Sequence, residues 1–504
     1  MPSILLTTLN ARYIHSSLGL RYLHAHMAEL HQDTAIREFT IHQRPADVAE
    51  ALLNEAPRII GLSVYVWNAQ ESAELVTILK TIAPEVWVVL GGPEVSHEWE
   101  QQAIVTEADY LITGQADLAF AALCRQLLDG KIPDERIIHA ATPHPAELQL
   151  PYDLYSDEDI RQRVVYVEAS RGCPFRCEFC LSALDKTAIP FPLDTFLAEM
   201  DRLYRRGLRH FKFIDRSFNL NLAHSRAILE FFLERLEEGL FLHFELIPDR
   251  LPEGLREVIA RFPPGALQFE IGIQSMNPEV QRRIDRKQDM SRSEDNLRWL
   301  REHSHAHLHV DLIFGLPGED IHSIAAGFDR LLGWQPHEIQ LGLLKRLRGT
   351  AIARHSESFE MRYLPQAPYT VLATATIPFT EMQRLARLAR YWDLIANAGR
   401  FPHSLVLILA DSPFARLLSL SDWLYSTTGQ THQIHFPRLC KLIYQALCGV
   451  LEVDQQDAAE AVLLDYARSG HKGRLQLLAE GQSHSTALPA NRRQRRHHLA
   501  DPEG

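Results

Sequence analysis

Short apolar runs alternate with stretches of helical spacing over the first 145 residues of the chain. Apolar residues that recur every three or four positions predict one helix over 18–30 and another over 69–82. The runs that predict buried strands are 4–9, 35–41, 59–66, 86–90 and 110–113. Strands and helices alternating in this way predict a doubly wound parallel sheet, in which ligands bind beyond the carboxyl ends of the strands.

A second alternating region begins near Arg163. Its strand candidates are 164–168, 210–214, 241–247, 267–273, 308–314 and 338–344. Six repeated strand–helix units predict a partial (β/α) barrel, whose active residues gather at the carboxyl ends of its strands. One helix in this region shows clear end signals, with Asp194 as the predicted N-cap and Gly207 as the predicted stop.

The pattern becomes mainly helical after about Pro365. The segment from Thr380 to Gln383 has the T-x-x-Q form of a capping box and predicts a helix that ends near Ala398. A further helix is predicted over 437–451. The end of the chain is polar and basic, so 471–504 is predicted to be a disordered tail.

The composition is that of a soluble globular protein, with 46% hydrophobic and 23% charged residues. A net charge of −12 argues against broad binding to a phosphate backbone, so nucleic acid is not an expected partner. The basic run Arg492, Arg493, Arg495, Arg496, His497 and His498 is interpreted as a solvated tail. No secretory signal or membrane-spanning apolar stretch is visible, which predicts a cytoplasmic location and no membrane partner.

Three of the six cysteines lie within eight residues, directly after the first predicted barrel strand. Cys173, Cys177 and Cys180 have the spacing C-x3-C-x2-C, which lets one loop wrap a small thiolate-bound metal centre. A ferredoxin-type cluster takes four cysteines, so three would leave one iron open. The alternative is a zinc site completed by a histidine, although the paired C-x2-C spacing typical of zinc sites is missing.

This segment resembles the signature of the radical SAM superfamily, in which an aromatic residue precedes the last cysteine, as Phe179 does here. The resemblance implies a [4Fe-4S] cluster whose open iron binds S-adenosylmethionine and cleaves it to a 5′-deoxyadenosyl radical. It also implies an external reducing partner, such as flavodoxin or ferredoxin.

Three further strand ends resemble elements of the same superfamily. Asp215 lies in F-I-D-R-S-F, which is similar to an acidic variant of the family's second-strand element. Glu270 and Gln274 belong to E-x-G-x-Q-S, and Asp311 opens D-x-x-x-G-L-P-G-E. The resemblance implies that these residues, with Phe179, position S-adenosylmethionine.

The first 141 residues resemble the cobalamin-binding domain that precedes many radical SAM barrels. The residues that carry this resemblance, and for which it implies contact with cobalamin, are Asn10, Tyr13, Ser63, Tyr65, Trp67, Gly91 and Gly92. The D-x-H-x-x-G motif that ligates cobalt in other cobalamin domains is absent, because His15 is followed by x-x-x-G and lacks the aspartate. We therefore predict that His15 does not ligate cobalt.

The predicted fold class is α/β: a doubly wound cobalamin-type domain, a partial (β/α)6 radical SAM barrel and a mainly helical C-terminal region. The predicted boundaries are 1–141 for the first domain, 142–162 for a linker, 163–355 for the barrel, 356–470 for the helical domain and 471–504 for the tail. The helical region resembles an extension of unassigned function found in a subgroup of these proteins.

The resemblance implies an enzyme that methylates an unreactive carbon and uses cobalamin as methyl carrier. A cobalamin-dependent rearrangement or cyclisation without methyl transfer is the first alternative. The second is a regulator that binds an iron–sulfur cluster or zinc and catalyses no reaction. The sequence does not identify the substrate.

Overall fold

The computed structural model describes residues 1–471 together with Leu475 and Leu477. In this part of the chain, the first domain contains a parallel sheet with strand order β2-β1-β3-β4-β5-β6. Its strands are β1 Ile4–Asn10, β2 Thr34–Thr40, β3 Ile59–Ser63, β4 Trp87–Gly91, β5 Tyr110–Thr113 and β6 Ile137–His139. The doubly wound parallel sheet is thereby confirmed. Apart from His471, Leu475 and Leu477, the tail over 471–504 that was predicted to be disordered lies outside the described residues, as does its basic run at 492–498.

The helices of this domain cover both faces of the sheet. They are α1 Leu18–Ala25, α2 Pro45–Leu53, α3 Ala69–Ile82, α4 Ala103–Glu107 and α5 Ala119–Leu128. Strand order reverses between β1 and β3, which opens a crevice at their carboxyl ends. The predicted helix over 18–30 is too long, because Ala28 has a φ of 48° and the chain continues as a 3-10 turn. Helix α2 and strand β6 were not predicted, since both are short.

The barrel follows a short helix, α6 Asp157–Gln162. Its parallel strands are β7 Val165–Val167, β8 His210–Phe213, β9 Phe241–Leu246, β10 Leu267–Gln274, β11 His307–Phe314 and β12 Glu338–Leu343. Each strand pairs with the next along the chain, from β7 at one edge to β12 at the other. Within the described residues this is the six-stranded partial barrel that the spacing predicted.

Alternation along the barrel strands separates the apolar packing face from a polar interior. In β10 the odd-numbered residues Leu267, Phe269 and Ile271 are buried, whereas Glu270 and Gln274 are partly exposed. The apolar face packs against the surrounding helices, which are α7 Leu193–Arg205, α8 Leu222–Leu233, α9 Glu253–Ile259, α10 Pro278–Arg283, α11 Met290–His303 and α12 Ile321–Leu332. Polar side chains therefore line the barrel interior.

The end signals of two helices were partly misread. Helix α7 begins at Leu193, so Asp194 lies in its first turn and is not the N-cap. In that position its negative charge interacts favourably with the positive end of the helix dipole. Gly207 does follow the helix, with a φ of 98°. The capping box predicted at Thr380 is wrong, because the helix there begins at Phe379 after Pro378 and has no side-chain cap.

The C-terminal region is mainly helical, as predicted. Its helices are α13 Phe379–Trp392, α14 Pro402–Leu409, α15 Pro413–Thr428, α16 Phe436–Gly449 and α17 Gln455–Arg468. Among the described residues, no single helix is long and apolar enough to cross a membrane. Helices α14 and α15 reach that length and composition only as a pair that is bent by 108°.

A buried group of four charges joins the first domain to the start of the barrel. Arg21 lies 3.1 Å from Glu38 and 2.9 Å from Asp159, and Arg163 lies 2.7 Å from Glu38 and 2.9 Å from Asp159. Burial opposes the charge on Glu38, but the two arginines hold the pKa of its carboxyl below the ordinary value. Each charge therefore depends on its partners.

We expect Glu38→Gln to lower the free energy of unfolding by about 3–5 kcal/mol, because it leaves buried arginine charge without its partner. The difference in stability between the variant and the native protein should shrink in acid. The pKa of Glu38 is lowered in the folded state, so the native protein loses the stabilisation from this carboxylate as pH falls through that pKa. Denaturant unfolding monitored by circular dichroism measures both effects. The control is Glu29→Gln at the exposed pair with Arg125, which should leave stability unchanged.

Candidate active site and cofactor cavities

The cysteine loop is fixed by backbone contacts. It begins beside a short antiparallel pairing of Ser170–Arg171 with Ile189–Pro190. Gly172 has a φ of 92° and lies so close to the backbone of Thr187 that no Cβ would fit. The amide of Cys173 donates to the carbonyl of Asp185 at 3.0 Å, and the amide of Cys180 donates to that of Cys177 at 3.0 Å. The three thiols are thus held by one rigid loop.

All three cysteines border one cavity of about 240 Å³ at the carboxyl ends of the barrel strands. Four of the five residues predicted to position S-adenosylmethionine border the same cavity: Phe179, Glu270, Gln274 and Asp311. Within the described residues, no three His, Cys, Asp or Glu side chains converge to hold a single metal ion. The three cysteines border this open volume together.

Glu270 is the permanent negative charge of this cavity. Its carboxylate lies 3.0 Å from Nε2 of His243 on the neighbouring strand. This hydrogen bond is the main reason that the pKa of Glu270 is lowered to about 2. Glu270 is therefore ionised at neutral pH.

Asp311 and Gln274 carry acceptors without partners. In the described part of the chain, Oδ1 of Asp311 and Oε1 of Gln274 are buried and accept no hydrogen bond. Burial, followed by repulsion from Glu270 and Glu245, raises the pKa of Asp311 to about 8. Such acceptors are costly unless a ligand supplies donors or positive charge. The ammonium and sulfonium groups of S-adenosylmethionine fit this requirement.

Asp215 is not among the residues that border the cavity. It is buried, and its carboxylate accepts from the amide of Ala169 at 2.9 Å and from Oγ of Ser170 at 2.6 Å. Burial nevertheless raises its pKa to about 7. In this structure Asp215 holds the segment that leads into the cysteine loop.

Several residues that border the cavity or contact the cysteine loop were not predicted from the sequence. Arg216 lies 2.6 Å from Glu245, and Arg286 donates to Sγ of Cys177 at 3.4 Å. Glu178, between the second and third cysteines, pairs with Arg354 and lies 2.6 Å from Nε2 of His355. No motif marks Arg286 or Arg354, because each reaches the loop from more than 100 residues away in the chain.

The first domain contains a second cavity, of about 400 Å³, at the crevice between its strands. Four predicted cobalamin contacts border it: Ser63, Tyr65, Gly91 and Gly92. Its walls are mostly apolar, and glycine residues let a ligand approach the backbone. The apolar wall residues are Leu18, Leu20, Leu23, Leu62, Val89, Leu90, Ile112 and Phe120. A flat ring bearing polar amides fits this combination.

Barrel residues close the other side of this second cavity. Glu168 and Arg171, from the segment that leads into the cysteine loop, border it. Arg171 lies 3.0 Å from Glu168 and 3.2 Å from Asp117, which belongs to the first domain. One segment therefore lies between the two cavities.

The remaining predicted cobalamin contacts do not border the cavity. Asn10 donates to the carbonyl of His15 at 3.0 Å, and Nδ1 of His15 lies 2.7 Å from the hydroxyl of Tyr166. The hydroxyl of Tyr13 donates to Glu158 at 2.7 Å. Trp67 is 45% exposed and stacks on Tyr65, with ring centroids 4.4 Å apart. His15 thus packs against the barrel, and its not ligating cobalt stays a prediction.

Three family models match the chain in consecutive segments. They are the B12 binding domain at residues 4–124, the Radical SAM superfamily at 167–331 and a protein of unknown function, DUF4080, at 357–498. The chain therefore carries a B12 binding domain and a Radical SAM superfamily domain, followed by a DUF4080 segment. These matches confirm the predicted resemblance and the cofactor classes that it implies.

Relatives of this chain include named methyltransferases. It is 27% identical over 249 residues to an uncharacterized methyltransferase, PH0819, of Pyrococcus horikoshii, covering 44% of this chain and 53% of that one. It is 25% identical over 333 residues to the cobalamin-dependent radical SAM methyltransferase TokK of Streptomyces tokunonensis, covering 57% and 47%. The chain thus spans about half the length of these curated relatives.

The fold is similar to that of the radical S-adenosylmethionine methyltransferase TsrM from Kitasatospora setae, solved with cobalamin and a [4Fe-4S] cluster bound. The TM-score is 0.59 at 16% identity, and the match covers 94% of this chain and all of that one. At this identity the likeness concerns the fold, and it confirms the predicted arrangement of domains with parallel sheets.

The adjacent glycines Gly91 and Gly92, which border the cavity of the first domain, should respond differently to an added methyl group. Gly92 has a φ of 106°, and an added Cβ would collide with the backbone of Val64, whereas a Cβ on Gly91 would meet nothing closer than 3.8 Å. We expect Gly92→Ala to destabilise the protein by more than about 1 kcal/mol and Gly91→Ala to leave stability nearly unchanged. Equal unfolding midpoints for the two variants would contradict this geometry.

Proposed function

We propose that this protein is a radical SAM methyltransferase in which Cys173, Cys177 and Cys180 hold a [4Fe-4S] cluster and the cavity of the first domain holds cobalamin. The observation that carries the proposal is the shared wall between the two cavities. Glu168 and Arg171 border the cavity of the first domain, and Cys173, two residues further on, borders the cavity at the cysteine loop. The names of the relatives favour methyl transfer over rearrangement.

When bound, the cluster and S-adenosylmethionine supply one-electron cleavage of the sulfonium, and cobalamin supplies a transferable methyl group. The chain's own residues would bind and orient these groups. Asp311 and Gln274 offer free acceptors to the cationic end of S-adenosylmethionine, and ionised Glu270 adds negative charge beside them. Phe179 presents an apolar surface to the same cavity.

Ion pairs between the barrel and the first domain fix the positions of the two cavities relative to each other. Arg171 connects the barrel to Asp117, and Arg348, from the loop after β12, lies 3.0 Å from Glu94, just beyond the glycine pair of β4. Within the described residues, neither cavity is bordered by the C-terminal helices. Helix α13 instead packs on Gly315, the first glycine of the D-x-x-x-G-L-P-G-E element, where Met382 would meet an added Cβ. These helices support the barrel from outside.

Each of Cys173→Ala, Cys177→Ala and Cys180→Ala should lose the cluster, because two thiolates cannot retain a cubane that three hold. Iron and sulfide content after anaerobic reconstitution measures the loss. Cys448→Ala, a half-buried thiol of α16, is the matched control and should keep full iron content. A triple variant that retained a full cluster would contradict the assignment of these ligands.

Methyl transfer is tested with S-adenosylmethionine that carries a deuterated methyl group. Reconstituted protein with reduced cobalamin should form labelled methylcobalamin, detected by mass spectrometry. A rearrangement enzyme would form 5′-deoxyadenosine without labelling cobalamin. A metal-binding regulator would form neither product.

Asp311→Asn should stabilise the ligand-free protein while weakening the binding of S-adenosylmethionine. Because its pKa is raised to about 8, the native carboxyl opposes folding increasingly as pH rises from about 4 to 8, and an amide removes this penalty. We expect a higher unfolding midpoint at pH 8, no gain near pH 4, and a raised Kd for S-adenosylmethionine by isothermal titration. Unchanged affinity would remove Asp311 from the proposed site.

A further inference from the structure

The turn after helix α10 is bonded directly to the cysteine loop. The carbonyl of Ile284 accepts from the amide of Glu178 at 3.0 Å. Asp285 then adopts a left-handed conformation with a φ of 47°, and the amide of Arg286 donates back to the carbonyl of Gln281 at 2.9 Å. This turn places the backbone of Arg286 next to the cysteine loop.

The guanidinium of Arg286 is shared among three acceptors. Nη1 donates to Sγ of Cys177 at 3.4 Å, Nε donates to Oε1 of Gln288 at 2.9 Å, and Nη2 donates to the carbonyl of Gly272. The carbonyl and the amide oxygen are neutral acceptors, so neither cancels the positive charge. The sulfur is the acceptor that becomes anionic when it ligates iron.

Arg216 borders the same cavity but is paired differently. Its guanidinium lies 2.6 Å from the carboxylate of Glu245. Within the described residues, Arg286 takes part in no salt bridge; Asp311, which borders the same cavity, is near enough for the charge of Arg286 to act on its carboxyl. Arg286 therefore donates to the thiol of Cys177 without being held by a paired carboxylate.

Gly272 makes room for this arrangement. A Cβ at this position would lie 3.3 Å from Nη2 of Arg286 and would collide with the side-chain amide of Gln274. The glycine of the E-x-G-x-Q-S element thus lets the arginine cross the strand and reach Cys177.

We propose that Arg286 is a positioning residue that raises the reduction potential of the cluster through its hydrogen bond to Cys177. The inference rests on the proposed function in that it requires the cluster to be bound. Reduction adds one negative charge to the cluster, and a charged donor at a ligating sulfur stabilises the reduced form more than the oxidised form. The low local dielectric of a half-buried loop strengthens that preference.

Redox titration of the reconstituted cluster, without S-adenosylmethionine, tests the proposal by electron paramagnetic resonance. In Arg286→Gln the ratio of reduced to oxidised cluster at a fixed potential should fall about tenfold, a shift of about 59 mV to more negative potential for one electron. Arg286→Lys, which keeps the charge, should recover part of the shift. The control Arg282→Gln alters an exposed arginine that pairs with Glu279 on the same helix, and should match the wild type.

A second variant, Gly272→Ala, allows the same measurement if Arg286→Gln binds iron poorly. Gly272→Ala keeps the arginine but displaces its guanidinium, so it should also shift the potential to a more negative value. An iron-loaded Arg286→Gln or Gly272→Ala protein with the wild-type potential would overturn the inference. Failure of the wild type to bind a four-iron cluster would instead overturn the proposed function.

Discussion

The structure depends on the backbone contacts that fix the loop of Cys173, Cys177 and Cys180 at the edge of an open cavity. Because these contacts hold the loop, its three thiols all border the same volume. Three sets of contacts hold the loop. Asp215 accepts a hydrogen bond from the segment before it, Ser170–Arg171 pairs with Ile189–Pro190, and Glu178 within the loop contacts His355. A buried carboxyl such as Asp215 is costly, and its two hydrogen bonds explain why the barrel retains it.

The same segment couples the barrel to the first domain. Arg171 lies between Glu168 and Asp117, and its guanidinium also packs over the ring of Tyr22, 4.6 Å from the centroid. The wall of the first-domain cavity and the start of the cysteine loop therefore belong to one short segment of the chain.

The fold was predictable, and the loop that carries the proposed cluster ligands could be singled out, because both depend on local sequence patterns. Strand periodicity and the spacing of Cys173, Cys177 and Cys180 each lie within a few residues of sequence. The supporting contacts were not predictable, because Arg286 and Arg354 reach the loop from distant turns. Asp215 was expected at the cavity, yet a position at a strand end does not say which hydrogen bonds its side chain makes. The same is true of Asn10, whose amide is used to fix the turn at His15.

The central claim is that three thiolates hold a cubane whose fourth iron stays available to a ligand. Mössbauer spectroscopy of protein reconstituted with ⁵⁷Fe, recorded with and without S-adenosylmethionine, measures this directly. The account predicts a four-iron spectrum in which the parameters of a single iron change when S-adenosylmethionine is added. A four-iron spectrum that does not change when S-adenosylmethionine is added would contradict this claim, as would a protein that takes up zinc and no iron.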